Sequence, residues 1–277
     1  MNVVVLGAGI SGRMFQNIIP ASIVLESKSK EESKQMTFQS GTNYLWEPIP
    51  GFECDLVNVT THVDGKPWTT ENVRRYKSKI GKSCESTEGW ERQFKLYSKG
   101  YALLNVCKER DVRYSCKVDE IDASKKFLRY VGGFFAYDYL VSTIPLRFIL
   151  ELTGLYKQYP MEQIFKYAPI YVKKEKIESR PGEIYVNYLS DFNNPCYRIT
   201  ERNGERHHES LAPLDRIDQK IIPGKIYPSP WVDKILGDLT ARNIFCFGRF
   251  ARWMPEELIH ETYKDIVKWR GEQIGTV

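Results

Sequence analysis

No run of apolar residues in the chain approaches the ~18 that a membrane-spanning helix requires, so a transmembrane protein is not expected. The amino terminus, MNVVVLGAGISG, lacks the basic start and small-residue cleavage site of a secretory signal, which points to the cytoplasm. Six cysteines (Cys54, Cys84, Cys107, Cys116, Cys196 and Cys246) include no Cys-x-x-Cys pair. That scatter argues against zinc and, in a cytosolic chain, against a disulfide framework. Walker-type and serine-nucleophile motifs are missing, as are internal repeats and low-complexity tracts. At 277 residues, with 27% charged and 42% hydrophobic, the chain suits one large globular domain or two modest ones sharing a cleft. The net charge of +5 and sequence pI of 8.7 favour a phosphate-bearing ligand but fall short of a dedicated nucleic-acid binder.

What is present concentrates at the two ends. VVVLGAGISG reads as a buried strand, Val3 to Leu6, running into Gly7-x-Gly9-x-x-Gly12 and a helix. In that arrangement Gly7 permits a tight turn, Gly9 admits backbone to a pyrophosphate, and Gly12 lets helix and strand pack closely, with the helix N-terminus facing the phosphate charge. A second apolar strand, SIVLES, ends at Glu26, where a carboxylate takes the hydroxyls of an adenosine ribose. Dinucleotide binding is the reading. Pro20 closes the intervening helix early.

The middle of the chain is β-rich. KSKEESK (28–34) reads as a solvated loop, and LVNVTTHVDGKPW as a hairpin turning at Asp64-Gly65. Trp90 to Val106 is a helical candidate broken by Gly100. The stretch VRYSC through VSTIP reads as three strands with turns at DASKK and Gly132-Gly133, and its last, YDYLVSTIP, has the apolar character of a parallel strand returning to the first sheet. LRFILELTG follows as a helix capped by Gly154. Segments IYVKKEKI, GEIYVNYLS, NPCYRITERNGE and KIIPGKIYPSPW are extended, and a proline-opened helix starts at Pro255. The expected fold is α/β: a Rossmann-like dinucleotide-binding domain from residues 1–40, 100–155 and 240–277, with a smaller β-rich substrate domain from 41–99 and 156–239 inserted.

The ordered set of motifs resembles the UDP-galactopyranose mutase branch of the FAD-dependent amine-oxidase-like flavoproteins. The matching pieces are Gly7, Gly9 and Gly12 with Glu26; YDYLVSTIP; NPCYRITER; IYPSP; and the closing NIFCFGRFARW. The resemblance implies FAD as cofactor, with Ala8, Ser11, Ser27, Val118, Thr143 and Leu258 as further contacts and with Gly248-Arg249 closing over the flavin. A glycine at 248 suits close backbone approach, and Arg249 balances pyrophosphate or flavin charge. The N–H groups beside Glu256 and Glu257 would stabilise negative charge at the flavin's edge. Arg198 and Tyr227 match positions that hold a substrate diphosphate, and Arg198 reads equally well as a solvent-facing strand residue.

One departure bears on the chemistry. Gly41-Thr42-Asn43-Tyr44-Leu45-Trp46 stands where the family has a histidine-containing segment, so Asn43 and Trp46 become the candidates beside the flavin and the histidine is missing. The chain is also shorter than that family's members. Both features favour an oxidoreductase acting on a nucleotide-linked or phosphate-bearing substrate, an amine-bearing modified DNA base included, over a mutase-type sugar-nucleotide isomerase. A non-catalytic flavin- or nucleotide-binding protein is the alternative of another class. His207-His208-Glu209 reads as a surface turn rather than a metal site, His62 as an exposed strand residue or an acid-base group, and Trp46, Trp68 and Tyr44 as core aromatics or a flavin wall.

Overall fold

The computed structural model describes residues 1–35, 47–50, 55–81, 95–98, 111–180 and 182–275. VVVL becomes β1 (Val3–Leu6), followed by α1 (Ile10–Ile18), β2 (Ile23–Leu25) and α2 (Lys30–Gln35). After β3 (Asp55–Val63), β4 (Lys66–Pro67), α3 (Thr70–Lys79) and β5 (Lys95–Ser98) comes a run of short strands. These are β6 (Val112–Arg113), β7 (Val118–Asp122), β8 (Phe127–Tyr130), β9 (Gly133–Ala136) and β10 (Tyr139–Ser142). Helices α4 (Leu146–Leu152) and α5 (Met161–Ile164) lead to β11 (Tyr167–Lys176), β12 (Glu183–Tyr188), β13 (Cys196–Arg202), β14 (Glu205–Ser210) and β15 (Gln219–Ile226). The last elements are α6 (Val232–Thr240), β16 (Ile244–Cys246) and α7 (Ile259–Gln273).

All four residues of β1 are buried because helices cover both faces of its sheet, which is why it carries no polar residue. Val3 and Val5 point to a core shared with Phe15 of α1 and Trp269 of α7, whose rings stand 5.2 Å apart. Val4 and Leu6 point the other way, to Leu146 and Ile149 of α4 and Ile235 and Leu239 of α6. The sheet is parallel throughout, in the order β16-β10-β1-β2-β6. Strand order reverses at β1, so the carboxyl ends of β1 and β10 border the crevice where open α/β sheets bind ligands. The antiparallel β7-β8-β9 meander lies in the connection from β6 to β10.

A second sheet of eight strands runs β15-β11-β14-β13-β12-β3-β4, with β5 also on β3. Only the β12 to β3 pairing is parallel among its described strands. Helix α3 packs on it through Val73, Tyr76 and Ile80, against Val63 and Tyr197. Thr69 and Asn72 cap α3 reciprocally, Thr69 Oγ1 accepting from the Asn72 N–H and Asn72 Oδ1 from the Thr69 N–H.

Four expectations need correction. The stretch expected as a loop at 28–34 holds α2, because Ser29 and Glu32 form a capping box: the Glu32 N–H donates to Ser29 Oγ and the Ser29 N–H to Glu32 Oε2. Within Trp90 to Val106 the described residues are a strand, not a helix, since β5 supplies backbone partners to β3 from Asp55 to Asn58. The three strands expected between Val112 and Ser142 are five, the extra ones being the two-residue β6 and the exposed hairpin strand β9. Finally, α7 begins at Ile259, not Pro255, because Glu261 reaches back 2.6 Å to the Leu258 N–H and sets the cap there.

Candidate functional site: a phosphate cradle and an adjoining arginine cleft

The crevice is built from backbone first. Gly7 sits at φ +95, and a Cβ there would stand 2.9 Å from Thr143 Oγ1. A Cβ on Gly12 would fall onto the Gly7 carbonyl oxygen. Both glycines are therefore required by the packing of β1, α1 and β10. Gly9 differs: its backbone is extended (φ −68, ψ −174), it is exposed, and a Cβ there would meet no atom within 4 Å among the described residues. Open space over the middle glycine, with the first turn of α1 carrying no carboxylate, leaves a cradle of backbone that could hold an anion.

The cradle's walls are tied together. The Ala8 N–H donates to Glu26 Oε2 at 2.8 Å, while Glu26 Oε1 accepts from the Lys28 N–H and the Ser27 hydroxyl. Thr143 donates its hydroxyl to Leu6 O at 2.8 Å, pinning the ends of β1 and β10 together. Val118 opens β7 two residues beyond Cys116, whose N–H donates to the Glu26 carbonyl. A carboxylate has about four acceptor sites, so Glu26 retains capacity for ribose hydroxyls.

The carboxyl-terminal end of the chain closes the same crevice. Gly248 lies at φ +94 just beyond β16, where a Cβ would stand 2.5 Å from Ser11 Oγ. Glu257 is nearly buried; its Oε1 accepts from the Thr262 hydroxyl at 2.7 Å and lies 3.7 Å from Arg252. Burial pushes its carboxyl above the ordinary value. Its other oxygen has no hydrogen-bond partner among the described residues. Because α7 starts later than expected, Glu256, Glu257 and Leu258 lie in the turn before the helix and do not form its first turn.

Arg249 reaches solvent but is ringed by protein. That desolvation lowers its guanidinium from the ordinary value; Tyr197 opposes the effect, and Arg198 lowers it further. Arg249 thus stands exposed beside Tyr197 and Arg198, and the surface these side chains share is the arginine cleft. Arg198 faces that cleft from β13 and does not lie free on a surface: its Nε and one terminal nitrogen donate to Glu209 Oε2 at 3.0 and 2.5 Å. Tyr197 donates to the same oxygen at 2.7 Å. Burial works against the Arg198 charge, but Glu209 and the tyrosines at 197, 188 and 76 outweigh it and raise its pKa. Tyr227, at the end of β15, has its ring edge near Gly81 and its carbonyl held by Trp253 Nε1 at 3.1 Å.

Asn43 and Trp46, with Tyr44, lie outside the described residues. His207 and His208 belong to strand β14, not a surface turn, and alternate across the sheet, so His207 is buried and His208 is half-buried against Glu175. Among the described residues no cluster of histidine, cysteine and carboxylate side chains is arranged for a metal ion. His62 is half-buried, meets the Tyr185 ring at a tilt with centroids 5.0 Å apart, and lines a 240 Å³ cavity that includes none of the cradle residues. Trp68 packs on the core beneath α3. Arg13 went unread in the sequence; Glu209 was read only as part of a surface turn with His207 and His208, and Trp253 only as the last residue of NIFCFGRFARW.

No protein-family model and no curated protein matches the chain. Solved structures do. A crystal structure of reduced UDP-galactopyranose mutase matches over 99% of this chain and 94% of its own, at 15% identity and a TM-score of 0.68. The CLA-producing fatty acid isomerase from P. acnes matches over 98% of each chain, at 11% identity and a TM-score of 0.61. A protein from Exiguobacterium sp. assigned as a protoporphyrinogen oxidase matches over 98% of this chain and 99% of its own, at 10% identity and a TM-score of 0.56. At such identities the likeness is one of fold: the chain shares the fold of these three proteins over nearly its whole length.

Proposed function

We propose that this protein is an FAD-dependent oxidoreductase whose substrate carries an anionic group, nucleotide-linked or otherwise phosphate-bearing. The observation that carries the reading is the contrast among the glycines. Gly7, Gly12 and Gly248 are demanded by packing within the protein, whereas Gly9 has open space above it and an ordinary backbone conformation. Gly237 and Gly271 also have open space, so what singles out Gly9 is its place between the end of β1 and the N-terminus of α1, where a ligand's phosphates come close to the backbone.

In this reading the N–H groups at the start of α1 bind the pyrophosphate and Glu26 takes the ribose hydroxyls. FAD, when bound, supplies a two-electron acceptor of the kind that withdraws hydride from a carbon beside an amine or hydroxyl. The protein's part is orientation and charge. Arg249 offers a cation at the cleft, and Arg198, already matched by Glu209, adds a rigid hydrogen-bonding surface with little net charge. The tyrosines at 76, 188 and 197 pack together beneath it. A mutase-type isomerase is the second reading, favoured by the way Tyr227 and the Arg198 cluster flank the same end of α3, at Gly81 and at Ile80 and Tyr76.

The test starts with colour. Protein that releases no flavin on heating, and takes up none from added FAD, ends the proposal. With yellow protein, anaerobic mixing with amines and amine-modified oligonucleotides, and with UDP-galactose isomers after chemical reduction of the flavin, separates the readings: bleaching with an oxidised product supports the oxidoreductase, and sugar-ring isomers the mutase. Neither outcome across the set favours a flavin-binding protein without catalysis.

A further inference from the structure

We infer that Arg13 is a positioning residue that aims the Gly9 N–H at the cofactor's phosphates; the inference rests on the dinucleotide reading above. Arg13 lies in the first turn of α1, 8% exposed, an unusual depth for an arginine. Its Nε donates to the Ala8 carbonyl at 2.9 Å, and one terminal nitrogen donates to the Tyr114 hydroxyl at 3.1 Å, just past the end of β6.

The consequence follows from peptide geometry. The Ala8 carbonyl and the Gly9 N–H belong to one planar trans unit and point in opposite directions. Holding the carbonyl on Arg13 therefore turns the Gly9 N–H to the side of the turn away from the guanidinium. Glycine at 9 would otherwise let this peptide flip at little cost. The Ala8 N–H is fixed independently on Glu26 Oε2 at 2.8 Å, so both polar groups of Ala8 are gripped by charged side chains from different elements. The loop is thus set before a ligand arrives, and Tyr114 braces the guanidinium that sets it.

FAD and ADP titrated into flavin-free protein by calorimetry, alongside melting curves of the same samples, test this role. Arg13→Gln should weaken both ligands by the same factor, roughly tenfold for one charge-assisted hydrogen bond. The flavin's visible spectrum should stay unchanged, because the lesion lies at the phosphate half alone. Tyr114→Phe should give a smaller loss of the same kind at an unaltered melting temperature. Arg13→Lys, which still reaches the Ala8 carbonyl, should recover part of the affinity. Equal affinity in wild type and both Arg13→Gln and Tyr114→Phe would overturn the assignment, as would losses that appear only in variants with lowered melting temperature. Wild-type protein that binds neither FAD nor ADP would instead bring down the dinucleotide reading, and this inference with it.

Discussion

A Cβ added to Gly248 would stand 2.5 Å from Ser11 Oγ, so a residue near the end of the chain packs directly on the first turn of the first helix. Gly248→Ala meets two obstacles, the contact with Ser11 and a φ of +94. The expected cost is about 2–3 kcal/mol of stability, read as a lowered denaturation midpoint. Combining it with Ser11→Gly should recover the contact portion and leave roughly 1 kcal/mol for the backbone. Full recovery in the double variant would show that the φ of Gly248 is not under constraint.

Gly9→Ala and Gly12→Ala, three positions apart, should behave oppositely. Alanine at 12 collides with the Gly7 carbonyl, so that variant should lose about 3 kcal/mol or fail to fold. Alanine at 9 adopts the existing φ of −68 without strain and fills empty space. Its melting temperature without ligand should equal or exceed that of wild type, while FAD affinity drops by at least roughly tenfold. A Gly9→Ala protein that binds FAD normally would remove the main support for the cradle.

The contrast between these glycines also marks how far the sequence could be read. Strand β1, the glycine turn, Glu26, the Asp64-Gly65 hairpin and the returning strand β10 were all legible, because each depends on local chemistry: burial on both faces, positive φ or a turn of two residues. The capping box of Ser29 and Glu32 went unread, hidden by its charged surroundings. What escaped was set by partners distant in sequence. Strand β5 exists through its pairing with β3, and Arg13 is explained only by Ala8 and Tyr114 together. Trp253 gains its role from the Tyr227 carbonyl and the Phe165 ring, which meets it edge-on at 4.9 Å.

Glu209 is the buried anchor of the cleft. Replacing it with alanine strips Arg198 and Tyr197 of their common acceptor and should cost about 3–5 kcal/mol, the usual penalty for breaking a buried pair from one side. Removing both partners in Arg198→Met with Glu209→Leu should be far less damaging. Denaturant titrations of Arg198→Met, Glu209→Leu and the double variant form the cycle, and strictly additive losses would mean the pair is uncoupled.

Glu257 should impose a pH dependence of its own. Its folded-state pKa lies above the ordinary 4.5, so its contribution to stability is complete below that value and is lost as pH rises through the raised one. Glu257→Gln keeps a hydrogen-bond acceptor for Thr262 and cannot ionise. Relative to wild type, its melting temperature should therefore improve as pH rises from below 4.5 toward neutrality. A difference that stays flat, or runs the other way, would mean that Arg252 stabilises the Glu257 carboxylate more than burial penalises it.

The two arginines of the cleft should separate cofactor from substrate. Arg249 is exposed, with protein on its cleft side, so Arg249→Ala should leave the melting temperature within roughly 0.5 kcal/mol of wild type. Flavin occupancy of the purified protein should nevertheless fall, since a cation beside the Gly248 turn is lost. Arg198 is tied to Glu209 on β14. Arg198→Lys, which retains the charge but not the forked geometry, should keep flavin occupancy and weaken turnover of an anionic substrate. Occupancy measured by flavin absorbance per chain, set against rates in the same preparations, decides the matter. If Arg198→Lys loses flavin while Arg249→Ala keeps it, the roles assigned to the two sides of the cleft are reversed.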